Sequence, residues 1–211
     1  MSDPIIIAID GPSASGKSTN SKIIAAELSF VYVDTGAMYR TLAWHALQSG
    51  TEVTDAAAVE ALCRNWPAEL VRRDDSVWLE VDGYFPEEEI RSSEVSAVVS
   101  HVAQVPFVRD WMKKRQRSCV QFGSLVMEGC DITSNIFPDT PHKFYLDASA
   151  EVRQARRDAD GVEENIAARD QRDSTRKAAP LKKVDGATVI NNCGESPEET
   201  SARIIALVRG S

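Results

Sequence analysis

One octapeptide near the N-terminus restricts the possible folds of this chain more than any other feature. The run Gly11–Ser18 matches the pattern G-x-x-x-x-G-K-S/T at every fixed position. The apolar run Ile5–Ile9 precedes it and is too short for a helix, which is typical of a buried strand in a parallel sheet. A helical pattern with Ile23, Ile24 and Leu28 on one side follows. This order of strand, loop and helix is the context in which such an octapeptide forms a phosphate-binding loop.

The fixed residues of the loop each have a chemical reason. Glycines let the backbone curl so that consecutive N–H groups face one polyphosphate, and the following helix adds its positive N-terminal end. We expect Lys17 to reach the β- and γ-phosphates of ATP, and Ser18 to bind Mg²⁺. The predicted ATP-binding residues are Gly11, Pro12, Ser13, Ala14, Ser15, Gly16, Lys17, Ser18 and Thr19.

The loop alone leaves a kinase, a GTPase and a mechanical ATPase open. A GTPase usually carries a base-reading N/TKxD segment, and this sequence has none. A motor ATPase usually carries an apolar strand that ends in Asp or Asp-Glu, for which Leu125–Glu128 is only a weak match. A chain of 211 residues with two insertions favours a kinase that acts on a small molecule.

Strands and helices alternate along most of the chain, which predicts an α/β fold with a parallel sheet. Further strands are predicted at Phe30–Val33, Leu125–Met127, Lys143–Leu146 and Ala187–Ile190, and helices at Gly16–Leu28, Tyr39–Gln48 and Pro197–Val208, the last after a Ser196 cap.

Two regions interrupt this alternation. Residues 51–99 contain a helix and then an antiparallel hairpin, Glu69–Arg72 and Ser76–Val81, around a turn at residues 73–75. Residues 151–176 are densely charged, with a break at Asp160-Gly161 between two helical pieces. We therefore predict a single domain over residues 1–211, with its core in residues 1–50, 100–150 and 177–211.

Composition excludes several classes of protein. The net charge of −8 argues against a broad nucleic-acid-binding surface, although a few arginines in a cleft can still bind a small anion. The four cysteines are scattered without a CxxC pair, so neither a zinc site nor a disulfide framework is predicted. Neither a signal peptide nor a membrane helix is recognisable, and we expect a cytoplasmic protein without a membrane partner.

Four further segments occur in order along the chain: Asp34–Arg40, Glu89–Ser96, Arg115–Arg117 and Arg169–Arg176. Together with the phosphate loop they resemble the bacterial cytidylate kinases over nearly the whole chain. The resemblance implies a P-loop three-layer fold with a five-stranded parallel sheet. It also implies a monophosphate-binding insertion with a small antiparallel sheet at residues 51–99, and a helical lid at residues 151–176. The implied reaction uses ATP and Mg²⁺ to phosphorylate CMP or dCMP, and we expect a monomer.

The resemblance also assigns the acceptor site. Arg40 would clamp the acceptor phosphate with help from the Thr35 hydroxyl, while Ser100, Arg109 and Asp131 would read the base. The chemistry suits cytosine, because an aspartate accepts from the exocyclic N4 amine and an arginine donates to the O2/N3 edge. Uracil would place its O4 acceptor against a carboxylate acceptor, which is a costly buried mismatch.

The arginines of the predicted lid share one helical face. Arg169, Arg172, Asp173 and Arg176 are spaced at i, i+3, i+4 and i+7, which suits charge neutralisation over transferring phosphates. By resemblance, Arg169 and Asp173 bind the ribose side of CMP, and Arg176 binds the phosphates. Lys17, Arg40, Arg169 and Arg176 are the predicted catalytic set. Whether Arg153, Arg156 and Arg157 face ATP or solvent stays open at this point.

Two residues depart from the family pattern. Where the family usually reads Gly-Arg-Asp-Ile-Gly, this chain has Cys130 for the arginine and Thr133 for the last glycine. A neighbouring arginine compensates, or the enzyme is slow, or it prefers another acceptor such as UMP; we favour compensation. A nucleotide-binding module that has lost catalysis is the alternative from another class. The sequence does not separate CMP from dCMP and does not reveal the oligomeric state.

Overall fold

The computed structural model describes residues 3–159, 166–175 and 179–210, and strands and helices alternate in them as predicted. The strands are β1 (Ile6–Asp10), β2 (Val31–Asp34), β3 (Ala68–Arg73), β4 (Ser76–Val81), β5 (Leu125–Gly129), β6 (His142–Asp147) and β7 (Thr188–Asn191). The α-helices are α1 (Lys17–Leu28), α2 (Thr35–Gln48), α3 (Ala56–Arg64), α4 (Ser93–Gln104), α5 (Pro106–Ser118), α6 (Ala150–Ala159), α7 (Ile166–Thr175) and α8 (Pro197–Arg209). Short helical turns occur at Glu89–Arg91, Cys119–Phe122 and Ile132–Ile136.

The strands form a mixed, mostly parallel sheet, which confirms the α/β class. Its hydrogen-bonded order is β3-β4-β2-β5-β1-β6-β7. Strand β1 pairs in parallel with β5 and β6, and β6 pairs in parallel with β7. The predicted hairpin is present as the antiparallel pair β3–β4. It does not form a separate small sheet as expected, because β4 continues the hydrogen-bonding of the main sheet. The two hairpin strands and the five other strands therefore form one sheet of seven.

The chain divides into two compact units, Met1–Tyr32 with Gly123–Ser211, and Val33–Phe122. The first unit has an apolar core in which side chains from β1, β2 and β5 to β7 meet α1 and α8; its members are Ile7, Ile9, Ile24, Ala25, Tyr32, Val126, Phe144, Leu146, Ile190, Ile204 and Ile205. Strand β1 is apolar throughout its centre because both of its faces are covered: Ile7 and Ile9 on one face and Ala8 on the other are all fully buried. This explains why the run before the phosphate loop shows no polar alternation.

Capping side chains determine where several helices begin. Helix α8 starts behind Ser196, which forms a capping box with Glu199, as the sequence predicts. Helix α2 starts at Thr35, four residues before its predicted start, because the Asp34 carboxylate accepts a hydrogen bond from the Ala37 N–H at 2.8 Å. The segment that follows β2 is therefore helical from its first residue.

The second unit is built around α2. Ala37, Phe85 and Ile90 form a buried cluster, against which Trp44 and Trp78 pack. The tight turn of the β3–β4 hairpin places Asp74 at a φ of 50°, a conformation that Asp and Asn tolerate better than most residues.

The charged region contains the two predicted helical pieces, α6 and α7. The predicted break at Asp160-Gly161 lies outside the described residues. Among the residues described, no helix combines the length and apolar content that crossing a membrane requires. The predicted boundaries of core, insertion and lid stay predictions.

Candidate functional site

The loop between β1 and α1 needs glycine at both of its fixed glycine positions. A Cβ atom on Gly11 would lie 2.3 Å from the carbonyl oxygen of Leu146, a backbone atom of β6 that cannot yield easily. Gly16 has a φ of 88° and precedes the first residue of α1. Such a left-handed conformation favours glycine. The loop is therefore closely packed against β6 at its start and turns sharply into α1 at its end.

Side chains hold the backbone carbonyls of this loop from outside. Five consecutive carbonyl oxygens each accept a side-chain hydrogen bond, at distances from 2.7 to 3.2 Å; the pairs are Lys17 to Pro12, Arg153 to Ser13, Arg156 to Ala14, Asn192 to Ser15 and Asn20 to Gly16. In a trans peptide the N–H points away from the C=O. Each N–H group is therefore directed away from the side chain that holds the carbonyl of its own peptide, as binding of an anion by the loop requires. The Ser15 N–H donates to the Pro12 carbonyl at 3.4 Å.

Positive charge surrounds the loop. Besides the Lys17 ammonium and the Arg153 and Arg156 guanidiniums, Arg157 donates to the Ser13 hydroxyl at 3.0 Å. The three arginines of α6, whose role the sequence left open, thus lie against the loop. Four cations around one short loop fit an anionic ligand with several charges.

Arg153 also connects the loop to the second helix of the charged region. Its guanidinium forms a two-pronged ion pair with Asp170 of α7, with N–O distances of 3.1 and 2.5 Å, and also donates to the carbonyls of Ser13 and Ala148. The arginine is only 6% exposed. A buried guanidinium with four of its five N–H donors directed at fixed acceptors is a rigid connector.

The remaining donor-site predictions fall on the first turn of α1. Lys17 is half-buried, whereas Ser18 and Thr19 are exposed. The Ser18 hydroxyl lies directly after the lysine at the positive end of the helix. The residues present therefore fit a metal–polyphosphate ligand. The buried Ser15 hydroxyl has no hydrogen-bond partner among the described residues, so it is a polar group inside the loop still able to bind one.

A second polar cluster lies where β1 and β5 end. The Asp10 carboxylate accepts hydrogen bonds from the Ile132 N–H at 2.8 Å, the Thr133 N–H at 2.9 Å and the Thr133 hydroxyl at 2.5 Å. Burial is the largest influence on this carboxyl and raises its pKa from 3.8 to about 6, although the hydrogen bonds from Thr133 and Ile132 act in the opposite direction. The Thr133 side chain contributes one of these bonds, which the family's usual glycine could not make.

Asp131, the predicted reader of the base, belongs to the same turn. Its side chain is nearly buried, and its carboxylate accepts from the Asn135 amide at 3.0 Å and from the Cys130 thiol at 3.7 Å. The carboxylate is thus oriented by two neighbours on its own segment. Neither Asp10 nor Asn135 was identified from the sequence, since a buried aspartate at a strand end carries no motif of its own.

In the second unit, the start of α2 carries a polar group that includes two arginines. Arg40 donates to the Ile90 carbonyl at 3.2 Å and to the Ser96 hydroxyl at 2.9 Å. Arg91 pairs with Asp34 at 3.1 Å, and Thr35 beside it is buried. From the sequence, Arg91 belongs to the segment Glu89–Ser96 and has no predicted role. The structure brings it to the end of α2 that carries Thr35 and Arg40.

The two base-reading candidates of this unit lie on neighbouring helices. Arg109 of α5 is nearly buried, donates to the Ala103 carbonyl at 3.1 Å and lies over the Tyr39 ring at 5.3 Å. Ser100 of α4 is half-buried, one helical turn after Ser96. Tyr39 directly precedes Arg40 on α2, so the Arg109 guanidinium lies over the residue next to Arg40.

The lid predictions can be followed only in part. Arg169 and Asp173 lie on α7, but the side chains of Arg169 and Arg172 lie outside the described residues, and so does the whole of Arg176. Asp173 is half-buried, and its backbone carbonyl accepts a hydrogen bond from the Leu181 N–H at 2.9 Å. Their assigned roles stay predictions.

Asn192 and Asp170 are the clearest functional residues that sequence reasoning missed. Asn192 is 2% exposed and donates to the phosphate loop from a position 177 residues away along the chain from its partner. Its only sequence signal is a polar Asn-Asn pair directly after an apolar strand. Asp170 lies inside the charged motif, where nothing in the spacing separates it from a solvated acid.

Burial of Asp10 leads to a pH-dependent stability. Because its pKa is raised in the folded state, the folded protein holds the proton more tightly than the unfolded chain, and the free energy of unfolding falls as the pH rises from about 4 to about 6. A pKa of about 6 instead of 3.8 corresponds to about 3 kcal/mol. The stability advantage of wild type over Asp10→Asn should therefore shrink by about this amount between pH 4 and pH 7 in denaturant titrations.

Asp139→Asn, at an exposed aspartate, serves as the matched control for the substitution. If the difference between wild type and Asp10→Asn had the same value at both pH values, the assignment of a raised pKa to Asp10 would be wrong.

Comparison with known proteins agrees with this geometry. The family profile described as cytidylate kinase matches residues 7–210. The cytidylate kinase of Geobacillus thermodenitrificans (strain NG80-2) is 41% identical over 99% of this chain and 98% of its own length. That of Geobacillus sp. (strain WCH70) is 42% identical with the same coverage. The tunicamycin resistance protein of Deinococcus radiodurans shares the fold, with a TM-score of 0.51 and 16% identity over 97% of this chain and 95% of its own. The chain belongs to the cytidylate kinase family.

Proposed function

We propose that the protein transfers the γ-phosphoryl group of ATP to the 5′-phosphate of CMP or dCMP. The observation that carries the proposal is the phosphate loop, with five carbonyls held outward and four cations around it, in a chain that belongs to the cytidylate kinase family. Phosphoryl transfer needs positioning and charge stabilisation more than covalent chemistry by the protein. The arrangement of these residues supplies both.

On the donor side, the loop amides and the N-terminus of α1 hold the phosphates of ATP. Lys17 moves from the Pro12 carbonyl to the β- and γ-phosphates, and Ser18 would help to hold Mg²⁺, which would supply neutralisation of the phosphate charge. Arg156 and Arg157 keep positive charge beside the transferred group. Each of these contributions stabilises charge that develops during the transfer.

On the acceptor side, Arg40 holds the phosphate of CMP with help from Thr35. Arg91 is a second cation at the same end of α2, because it pairs with Asp34 while Arg40 donates to the preceding residue, Ile90. We propose that Arg91 is the arginine that compensates for Cys130. Ser100, Arg109 and Asp131 read the base, with the Asp131 carboxylate accepting from the N4 amine of cytosine.

The lid acts through the connection between Arg153 and Asp170. This ion pair fixes α7 to the phosphate loop, so that Arg169 and Asp173 on the helix and Arg176 after it reach the ribose and the phosphates. A closed lid excludes water and so protects the γ-phosphate from hydrolysis. The protein works as a cytoplasmic monomer. It has no nucleic-acid partner, which its net charge of −8 supports.

An acceptor panel tests the activity. We expect coupled ADP release with CMP and dCMP to exceed that with UMP, AMP and shikimate, because only cytosine offers N4 to Asp131.

Lys17→Ala should lower the rate of phosphoryl transfer on the order of 1,000-fold without loss of the fold, because it removes charge stabilisation at the transferred phosphate. Lys22→Ala on the same helix is the matched control, since Lys22 lies over the Tyr32 ring instead.

Two results would overturn the proposal. ATP binding without turnover on any acceptor would establish the alternative of a binding module that has lost catalysis. A preference for UMP or for shikimate would establish a kinase with another acceptor.

Cys130 provides a second prediction. An arginine at this position adds a charge-assisted contact to the acceptor phosphate, worth roughly 1.5–3 kcal/mol, and Cys130→Arg should lower the KM for CMP by about tenfold or more in steady-state assays. Cys193→Arg, at an exposed cysteine, controls for the added charge. An unchanged or higher KM for CMP would contradict the prediction and would show that the site around residue 130 has reorganised.

The ion pair between Arg153 and Asp170 leads to a further prediction. Asp170→Asn weakens a partly buried, charge-assisted contact by about 1.5 kcal/mol, so we expect a roughly tenfold lower kcat. ATP hydrolysis without CMP should rise relative to transfer, because the lid closes less completely. Asp158→Asn on α6 removes an exposed carboxylate of the same region and should leave both rates unchanged. Equal rates for the two variants would contradict the role of the pair.

A further inference from the structure

The turn that carries Asp131 is fixed at its other end by one buried carboxylate. Asp10 is fully buried and Thr133 is 2% exposed, and the three hydrogen bonds between Asp10 and residues 132 and 133 use both carboxylate oxygens. Asp10 is also the residue directly before the phosphate loop, paired in register with Gly129 of β5. One side chain therefore connects the start of the phosphate loop to the turn after β5.

Asp131 lies directly before the two residues that Asp10 holds. Its carboxylate is nearly buried and is oriented by Asn135 at the end of the same turn, with an N–O distance of 3.0 Å. The Asn135 N–H also returns to the Asp131 carbonyl at 2.9 Å, so that residues 131–135 form one closed unit. The position of this unit determines where the Asp131 carboxylate lies.

The Thr133 hydroxyl adds a bond that the backbone cannot supply. The two N–H groups of Ile132 and Thr133 would reach Asp10 with any residue at position 133, whereas the third bond needs a hydroxyl. This bond is made at 2.5 Å to an oxygen that already accepts from the Thr133 backbone. A charged acceptor strengthens each of these bonds. Thr133, one of the two departures from the family pattern, thus adds a third hydrogen bond between Asp10 and the turn.

We infer that Asp10 and Thr133 are positioning residues for base discrimination: they hold the turn so that the Asp131 carboxylate meets the N4 amine of cytosine. This inference rests on the proposed function. Neither residue touches the nucleotide; both act through Asp131. Discrimination between cytosine and uracil is sensitive to such positioning, because it depends on a hydrogen bond whose strength falls steeply with misalignment. Binding of uracil gains nothing from Asp131 and is less affected.

The ratio of kcat/KM for CMP to that for UMP is the appropriate measurement. Thr133→Val keeps the shape of the side chain and removes the hydroxyl, and we expect the CMP/UMP ratio to fall by about tenfold, mainly through a higher KM for CMP. Thr133→Ser keeps the hydroxyl and should stay within about threefold of wild type. A loss of stability alone would lower activity on both acceptors equally and would leave this ratio unchanged.

Thr140→Val is the matched control. The Thr140 hydroxyl also donates a 2.5 Å hydrogen bond, in this case to the Ile6 carbonyl at the start of β1, away from the turn. It should leave the CMP/UMP ratio unchanged. An unchanged ratio in Thr133→Val, or an equal change in Thr140→Val, would overturn the inference. If Thr133→Val does not fold, Thr133→Ala decides, because it keeps both backbone hydrogen bonds, removes only the side-chain hydroxyl bond and should still lower the ratio.

Calorimetric titration of CMP and UMP separates this inference from the proposed function. If wild type binds CMP more tightly than UMP and Thr133→Val shows the same affinity ratio, only the positioning role is contradicted. Wild type that binds neither nucleotide overturns both.

Discussion

The phosphate loop has its conformation because side chains from distant segments hold its carbonyl groups. Arg153 and Arg156 come from α6, Asn192 follows β7, and Asn20 lies on α1, so the loop depends on three parts of the chain at once. Without these acceptor-directed bonds the carbonyls would compete with the amides for the inner side of the loop, where an anion must meet N–H groups. The close approach of Gly11 to Leu146 fixes the start of the same loop. The attachment of α6 and α7 to the loop follows from the same packing.

Arg153 and Asp10 extend this arrangement in two directions. Arg153 connects the phosphate loop to Asp170 of α7, the helix that carries two of the predicted lid residues. Asp10 connects the start of the phosphate loop to the turn that contains Asp131. Both are buried ionisable groups, and each has several hydrogen bonds to compensate for the loss of water. Buried charges of this kind restrict conformation more than they add stability, which suits residues whose task is to hold others in place.

Cys130 shows why a single substitution does not decide the function. Taken alone, the loss of an arginine suggests a weakened phosphate grip. In the second unit, Arg91 and Arg40 lie at one end of α2, where Arg91 pairs with Asp34 and Arg40 donates to the Ile90 carbonyl. In the first unit, the Cys130 thiol donates to the Asp131 carboxylate. The proposed acceptor site therefore still contains two arginines although residue 130 is a cysteine.

The sequence by itself determined the features that depend on local order. The phosphate loop, the apolar β1, the β3–β4 hairpin and the Ser196 cap are each specified by neighbouring residues, and periodicity or a motif reveals such features directly. The tertiary structure alone decided which distant side chains reach them. Asn192, Asp170 and the bond from Thr133 to Asp10 join residues from 17 to 177 positions apart. It also placed the hairpin in the main sheet, because strand pairing depends on contacts between backbones that no single segment encodes.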